Sequence, residues 1–178
     1  MPLHLRCVYH VSAISVVAMS LWTTGCANMP PTTGPTAPTE LLAGAARLAF
    51  TDMEGVRHDL DALLEGGTNV TLVFWQTWCA SCLREAPELA EAARTLNGRM
   101  PFFGVISGPE GAVDDEKVRE VVRKFATPYP QIRDRDLHLT RYCDVRGTPT
   151  LLVLGRGRRV LYTGHRPPAD WTALTSAR

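Results

Sequence analysis

The chain has almost no excess charge of either sign, with 19 basic and 18 acidic residues among 178 and a formal net charge of +1. A protein that binds nucleic acid usually carries a basic face or tail, and no such cluster is present, so we expect no nucleic-acid partner. Internal repeats are absent as well. The length favours one domain with room for a hydrophobic core.

Cysteines and the histidines that could join them in a metal site are scarce. The chain has five cysteines, at positions 7, 26, 79, 82 and 143. The first two lie in a segment that should not join the fold, and three are too few for the disulfide framework of a small secreted domain. A structural zinc site needs four ligands, but Cys143 stands alone and His58, His138 and His165 are scattered. We therefore expect no metal and no cofactor.

Residues 1–25 have the proportions of a signal peptide. A weakly positive start leads into Val8 to Trp22, a mostly apolar stretch that is short for a membrane span. It ends on "TTGC", and small residues before a cysteine resemble the bacterial lipobox, in which the cysteine, here Cys26, is lipidated. Thr23 stands where that pattern prefers Leu, and an ordinary signal peptide cut near Ala27 is the alternative. We expect an exported, lipid-anchored protein.

Residues 26–44 are predicted to form a tether. The stretch "NMPPTTGPTAPTE", from Asn28 to Glu40, is rich in Pro and Thr and has almost no large apolar residue. Such a composition favours an extended, solvated chain. A tether directly after a lipid anchor would hold a domain off a membrane surface. The folded domain is then expected over residues 45–178.

Strand and helix patterns alternate through this domain. Strands are predicted at 47–51 and 56–60, forming a hairpin, at 69–76 and 100–107, as an edge piece at 127–134, and at 148–155 and 158–164; helices are predicted at about 79–96, 114–125, 137–142 and 169–177. The run 69–76 is almost continuously apolar, which is typical of a central strand buried on both faces. The last two strands are joined by a tight turn and should be antiparallel. The order predicts a mixed α/β sheet with helices on both faces.

The stretch "FWQTWCASCLREAP" places Cys79 and Cys82 where a buried strand meets a helix. Unpaired N–H groups and the helix dipole favour an anion at a helix start, so Cys79 should have a lowered pKa and be reactive. Cys82 lies one turn further on, close enough for a disulfide, and we expect it to be the more buried. A purely structural role is unfavourable because so small a loop constrains the unfolded chain little. We predict that Cys79 attacks and Cys82 resolves.

The same run resembles the thioredoxin superfamily, and within it the membrane-anchored TlpA/ResA-like thiol–disulfide oxidoreductases. The family's FW-x-x-W-C-x-x-C pattern is present from Phe74 to Cys82, followed by its Glu and Pro at Glu85 and Pro87. Its proline motif matches "RGTPT" around Pro149, and the resemblance covers about Leu48 to the end. It implies a thioredoxin-like three-layer α/β fold, with a central mixed sheet, an N-terminal hairpin and an inserted helix.

The resemblance also implies roles for individual residues. Pro149 would be a cis-proline, and Thr148 before it would offer main-chain groups to an extended substrate. Glu85, one turn past Cys82, would relay the proton that Cys82 must lose, unless it is an ordinary solvated glutamate. Trp78 would shield the active disulfide and contact the substrate, with simple packing as the alternative.

Two positions depart from thioredoxin itself. Val73 stands where thioredoxins have a buried Asp, so a buried acid–base role would pass to Glu85. Cys143 lies six residues before Pro149, where the family often has Tyr. It is either a small buried apolar residue or a third thiol able to form a mixed disulfide.

The function that this resemblance implies is reduction of disulfides in envelope proteins, with cytochrome c maturation as one client pathway and a membrane thiol carrier as electron donor. A copper-binding metallochaperone or redox-sensing module, using His165 with the cysteine pair, is an alternative. A thiol peroxidase is another, but it needs a peroxidatic Cys in a Thr/Pro-rich loop, which "WCASC" is not.

Overall fold

A computed structural model describes residues 47–96, 98–109 and 111–177. The predicted signal peptide, the lipidation candidate Cys26 and the tether lie outside these residues. The described elements, in chain order, are β1 (Ala49–Thr51), β2 (Arg57–Asp59), α1 (Leu60–Glu65), β3 (Val70–Trp75), α2 (Ala80–Thr95), β4 (Phe102–Ser107), α3 (Asp115–Lys124), β5 (Gln131–Asp134), α4 (His138–Tyr142), β6 (Thr150–Gly155), β7 (Arg159–Gly164) and α5 (Trp171–Ser176). None of these helices is long and apolar enough to cross a bilayer.

The sheet is mixed, as predicted. Five strands lie in the order β5-β4-β3-β6-β7, with β3, β4 and β5 parallel to one another and β6 and β7 antiparallel to their neighbours. The first two strands form a separate antiparallel hairpin. The parallel arrangement brings the C-terminal ends of β3 and β4 to one edge of the sheet, and the residues after β3 lie at that edge.

The central strand β3 is buried along its whole length, which confirms the prediction from its continuous apolar run. Successive side chains of a strand point to opposite faces, so β3 supplies both halves of the core. Leu72 and Phe74 pack with α1 and α4, whereas Val73 packs with α2 and α5. Helices therefore cover both faces, and the three-layer fold is confirmed.

The helix α1 was not predicted, because the second hairpin strand was expected to continue to Leu60. In the structure Leu60 begins a helix, and the Asp59 side chain accepts a hydrogen bond from the Ala62 N–H at 3.0 Å. Such a cap stabilises a helix start by about 1 kcal/mol. Leu60 and Leu64, four residues apart, are both buried. A helix of this length is too short to show a clear period, which is why the pattern was missed.

Helix α3 matches its prediction closely. The Asp114 side chain accepts hydrogen bonds from the N–H groups of Glu116 and Lys117, and acidic residues fill the first turn. Val118 and Val121 are buried against the edge of the sheet where β3 ends. The helix therefore forms one wall of the region that holds the cysteine pair.

Candidate active site

The cysteine pair lies at the junction of β3 and α2, as predicted. Cys79 is the residue that caps α2, and its Sγ accepts a hydrogen bond from the Cys82 N–H at 3.2 Å. The two sulfurs form a disulfide with a Cα–Cα distance of 5.2 Å. In the reduced protein the first N–H groups of α2 would stabilise a thiolate on Cys79.

The expectation that Cys82 is the more buried cysteine is wrong for the disulfide form. Cys79 and Cys82 are each 5% exposed. Both belong to an apolar cluster with Trp75, Ile106 and the buried face of α3. The start of α2 packs between the end of the sheet and α3, and this packing buries both cysteines to the same extent.

Trp78, directly before the pair, lies on the surface with 75% of its area exposed. The alternative of simple core packing is therefore wrong. Large aromatic rings are mostly buried, so a Trp ring exposed directly beside the disulfide is unusual. Its contact with a substrate stays a prediction.

The Thr148–Pro149 peptide bond is cis, which confirms the expectation for Pro149. Pro149 lines the same small cavity as Cys82, so the proline segment flanks the disulfide. The Thr150 hydroxyl donates to the Gly147 carbonyl at 2.7 Å, and the His165 Nδ1 donates to the Pro149 carbonyl at 2.7 Å. Thr148 is half-buried, and its N–H and C=O make no backbone hydrogen bond with any residue that the structure describes.

Glu85 is half-buried one turn beyond Cys82. Its Oε2 atom is buried and has no hydrogen-bond partner among the described residues. Burial raises the pKa of the Glu85 carboxyl, and the positive charges of Arg166 and Arg84 act against that shift. These observations do not fit a freely solvated surface glutamate. They fit a carboxyl that holds its proton more tightly than usual.

Comparison with known proteins identifies the family. The Redoxin family matches residues 19–175. The chain belongs to the Redoxin family. The thiol-disulfide oxidoreductase ResA of Bacillus subtilis is 24% identical over 117 residues, which is 66% of this chain and 63% of ResA. Protein disulfide-isomerase A4 of Rattus norvegicus is 26% identical over 110 residues, 62% of this chain but 14% of that relative.

Solved structures share the fold of this Redoxin chain. A secreted Mycobacterium tuberculosis disulfide oxidoreductase described as homologous to Escherichia coli DsbE has a TM-score of 0.57 and 22% identity, covering 70% of this chain and 87% of that one. StoA from Bacillus subtilis has a TM-score of 0.58 and 18% identity, covering 69% and 90%. Together with the family match, they confirm the thioredoxin-like fold of this chain.

The structure adds a hydrogen-bonded pair that sequence reasoning missed. The Trp75 Nε1 donates to the Gln131 Oε1 at 2.9 Å, and the Gln131 Nε2 donates to the Tyr129 carbonyl at 2.8 Å. A Cβ at Gly104 would overlap the Gln131 amide, so the glycine makes room for it. These contacts fix the Trp75 ring behind Cys82 in this Redoxin chain. A glycine inside a predicted strand was the available signal.

Cys143 behaves as a partly buried apolar residue. It packs against the core on the α1 and α4 face of the sheet. Burial raises the pKa of its thiol to about 12, with Asp134 adding to the shift. A thiol with that pKa is neutral at ordinary pH and a poor nucleophile, so this Redoxin chain gains little support for a third reactive cysteine.

The copper-binding alternative gains no support from this geometry. Across the described parts of the chain, no three His, Cys, Asp or Glu side chains are grouped so that they could hold a metal ion. The cysteines are joined to each other, and the His165 Nδ1 is used by the Pro149 carbonyl.

Proposed function

We propose that this chain is an exported thiol–disulfide oxidoreductase that reduces disulfides in proteins of the cell envelope. The observation that carries the proposal is the Cys79–Cys82 disulfide at the start of α2, with cis-Pro149 lining the same cavity as Cys82. Membership of the Redoxin family and the similarity to ResA support the same class of chemistry.

The reaction begins from the reduced pair. The Cys79 thiolate attacks one sulfur of a client disulfide, and the other client sulfur leaves as a thiolate that takes up a proton. Cys82 then loses its proton and attacks the Cys79 sulfur of this mixed disulfide. The products are the Cys79–Cys82 disulfide and a second client thiol, so two electrons pass from the pair to the client.

Glu85 is proposed as the group that takes the proton from Cys82. The two residues are three positions apart on α2, so their side chains lie on the same side of the helix. The Oε2 atom is buried and has no hydrogen-bond partner in the described part of the chain, so it could accept a proton with little reorganisation. The raised pKa of the carboxyl makes that acceptance more favourable than for a solvated glutamate.

Thr148 and Trp78 are proposed to bind the client. The main-chain groups of Thr148 make no backbone hydrogen bond to the residues that the structure describes, which suits pairing with an extended client segment in the manner of an added strand. The exposed Trp78 ring would cover apolar client surface beside the sulfurs. Main-chain pairing gives affinity without reading the client sequence.

Export, the Cys26 lipid anchor and a membrane thiol carrier as electron donor complete the proposal. They rest on the signal-peptide pattern and on a tether long enough to separate the domain from a membrane. One structural neighbour is described as secreted. Cytochrome c maturation is one pathway whose clients would need such a reductant. Replacing Cys26 by Ala should move the protein from the membrane fraction to the soluble envelope fraction, and unchanged distribution would contradict lipidation.

The catalytic proposal is tested by trapping. Reduced Cys82→Ser protein, mixed with an oxidised client peptide, should accumulate one peptide per chain on Cys79, as measured by intact mass. Cys79→Ser should trap none, and Cys143→Ser in the Cys82→Ser background should trap as much as before. Peptide found on Cys143, or none on Cys79, would contradict the proposed roles.

A further inference from the structure

The residue that follows β7 lies beside the cis-proline segment. Strands β6 and β7 are antiparallel, and their register pairs Leu151 with Gly164. His165 therefore continues alongside the start of β6, where Pro149 lies. This proximity arises from strand pairing between positions 16 residues apart in the chain, and no local sequence pattern encodes it.

The contact between the two residues is a directed hydrogen bond. The His165 Nδ1 and the Pro149 carbonyl oxygen are 2.7 Å apart. A carbonyl oxygen can only accept, so Nδ1 must carry the hydrogen. In a neutral ring this leaves Nε2 without one, and the bond therefore selects the tautomer.

His165 is itself held by its neighbours. The Tyr162 hydroxyl donates to the Arg166 carbonyl at 2.7 Å, which closes the chain around Gly164 and His165. A Cβ at Gly164 would overlap the Tyr162 ring, so glycine allows this close approach. The imidazole is thus presented from a fixed loop, although the residue lies at the surface.

The proline segment is consequently tied down by side-chain hydrogen bonds on both sides of the cis bond. Thr150 binds the Gly147 carbonyl before it, and His165 binds the Pro149 carbonyl after it. Thr148 lies between these two points. Its main-chain groups can pair with a client only if the segment keeps its place beside Cys82.

We propose that His165 is a positioning residue of the disulfide-exchange site, which holds the Thr148–Pro149 segment in register for a client main chain through its Nδ1–H bond to the Pro149 carbonyl. The inference rests on the proposed function, since it concerns how a client peptide is bound. It predicts that His165 matters more for a disulfide in a peptide than for a small disulfide that has no main chain.

The test compares these two substrates on the full, reduced chain. An extended peptide disulfide and bis(2-hydroxyethyl) disulfide are given to wild type, His165→Ala and His165→Asn, and kcat and KM are measured for each. His165→Ala should lower the ratio of peptide to small-disulfide kcat/KM about 3- to 10-fold, mostly through KM, which is the effect of one hydrogen bond. Asn keeps a donor near the Nδ1 position and should restore the ratio to within about twofold.

His138→Ala is the matched control, because His138 is an exposed histidine on α4 that contacts Tyr142 instead. It should leave the ratio unchanged. Equal losses on both substrates, or an Asn variant no better than Ala, would overturn the inference. A positive charge on His165 would also act on the Glu85 carboxyl. The Asn variant separates the two effects, because Asn supplies the hydrogen-bond donor without the charge.

A second readout does not depend on turnover. Long-range ¹H–¹⁵N spectra of the histidine rings should show a hydrogen on Nδ1 of His165, and an Nε2–H tautomer would overturn the inference in an active enzyme as well. If wild type reduces neither disulfide, the proposed function itself fails, and the role of His165 fails with it. An active wild type whose ratio is insensitive to His165 overturns the inference alone.

Discussion

The two faces of the sheet carry the same kinds of reactive group in opposite environments. On the α1 and α4 face, the Asp61 carboxylate accepts hydrogen bonds from the Leu48 N–H and from two nitrogens of Arg158, each at 2.7 Å. Near α2, the Glu85 Oε2 is buried with no partner among the described residues. Arg158 lowers the pKa of Asp61, whereas burial raises that of Glu85.

The thiols differ in the opposite direction, because burial acts on the thiol of the α1 and α4 face and a helix start acts on the other. Cys143 is partly buried against the α1 and α4 core, and burial raises its pKa to about 12. Cys79 caps α2, where N–H groups favour a thiolate. The comparison teaches that satisfied polar groups stabilise one face, while groups left unsatisfied or beside a helix end are available for chemistry on the other.

The largest expected difference is in thiol reactivity. In the reduced protein at pH 7, iodoacetamide should modify Cys79 at least about 10³-fold faster than Cys143, because the thiolate is the reactive form. Peptide mapping after timed alkylation gives both rates. Similar rates at the two sites would break the comparison.

Removal of the satisfied carboxylate should cost stability without affecting chemistry. Asp61→Ala removes the carboxylate that accepts hydrogen bonds from the Leu48 N–H and from two nitrogens of Arg158, and should lower the free energy of unfolding by about 3–5 kcal/mol in urea titrations. The Cys79–Cys82 potential should stay unchanged. A loss below about 1 kcal/mol would mean that the pair behaves like an exposed one.

The pH dependence of stability should differ in sign between these carboxyls. The folded pKa of Asp61 is lowered, so its stabilisation is present above the ordinary carboxyl pKa and is lost as pH falls through the folded value. The folded pKa of Glu85 is raised, so its contribution is present below the ordinary value and is lost as pH rises through the folded value. Glu85→Gln should therefore raise stability at pH 7 relative to pH 4, and Asp61→Asn should do the reverse.

Glu85→Gln should also slow the resolving step, because the amide cannot take the Cys82 proton. We expect about a 10²-fold lower rate of mixed-disulfide resolution near neutral pH, measured by rapid acid quench, with the first attack by Cys79 little changed. Glu91→Gln, six residues further along the same helix, is the matched control because Glu91 is exposed and pairs with Arg94, and it should not slow either step. Equal rates in wild type and Glu85→Gln would remove Glu85 from the mechanism.

The smallest effect is expected at Trp78. Trp78→Ala should change the free energy of unfolding by less than about 0.5 kcal/mol, because the ring is 75% exposed. It should raise KM for a peptide disulfide more than for a small one. A large loss of stability would show that the ring packs in solution.

Much of this organisation could be predicted from local sequence. The apolar run of β3 and the cap at Asp114 were read correctly, since each depends on residues close in the chain. The cis state of Pro149 came from the family motif. Equal burial of the two cysteines was not foreseen, because it depends on how α3 packs over α2, and a periodic pattern does not encode packing between helices.

The contacts that complete the site could not be predicted for the same reason. The Trp75–Gln131 hydrogen bond joins residues 56 positions apart, and the His165–Pro149 bond depends on the register of β6 and β7. Short α1 was missed because its pattern is brief. The position of Glu85 on the helix could be predicted, but only the fold shows that its Oε2 is buried with no hydrogen-bond partner among the described residues.

The reduction potential of the Cys79–Cys82 pair tests the central claim most directly. It is measured by equilibration with glutathione or dithiothreitol, with Cys143→Ser as the control that excludes a third thiol. If the protein is a reductase, we expect a reversible two-electron couple at about −270 mV, the value of thioredoxin. A potential near about −120 mV would contradict the reducing direction, and the absence of a reversible couple would contradict the redox site itself.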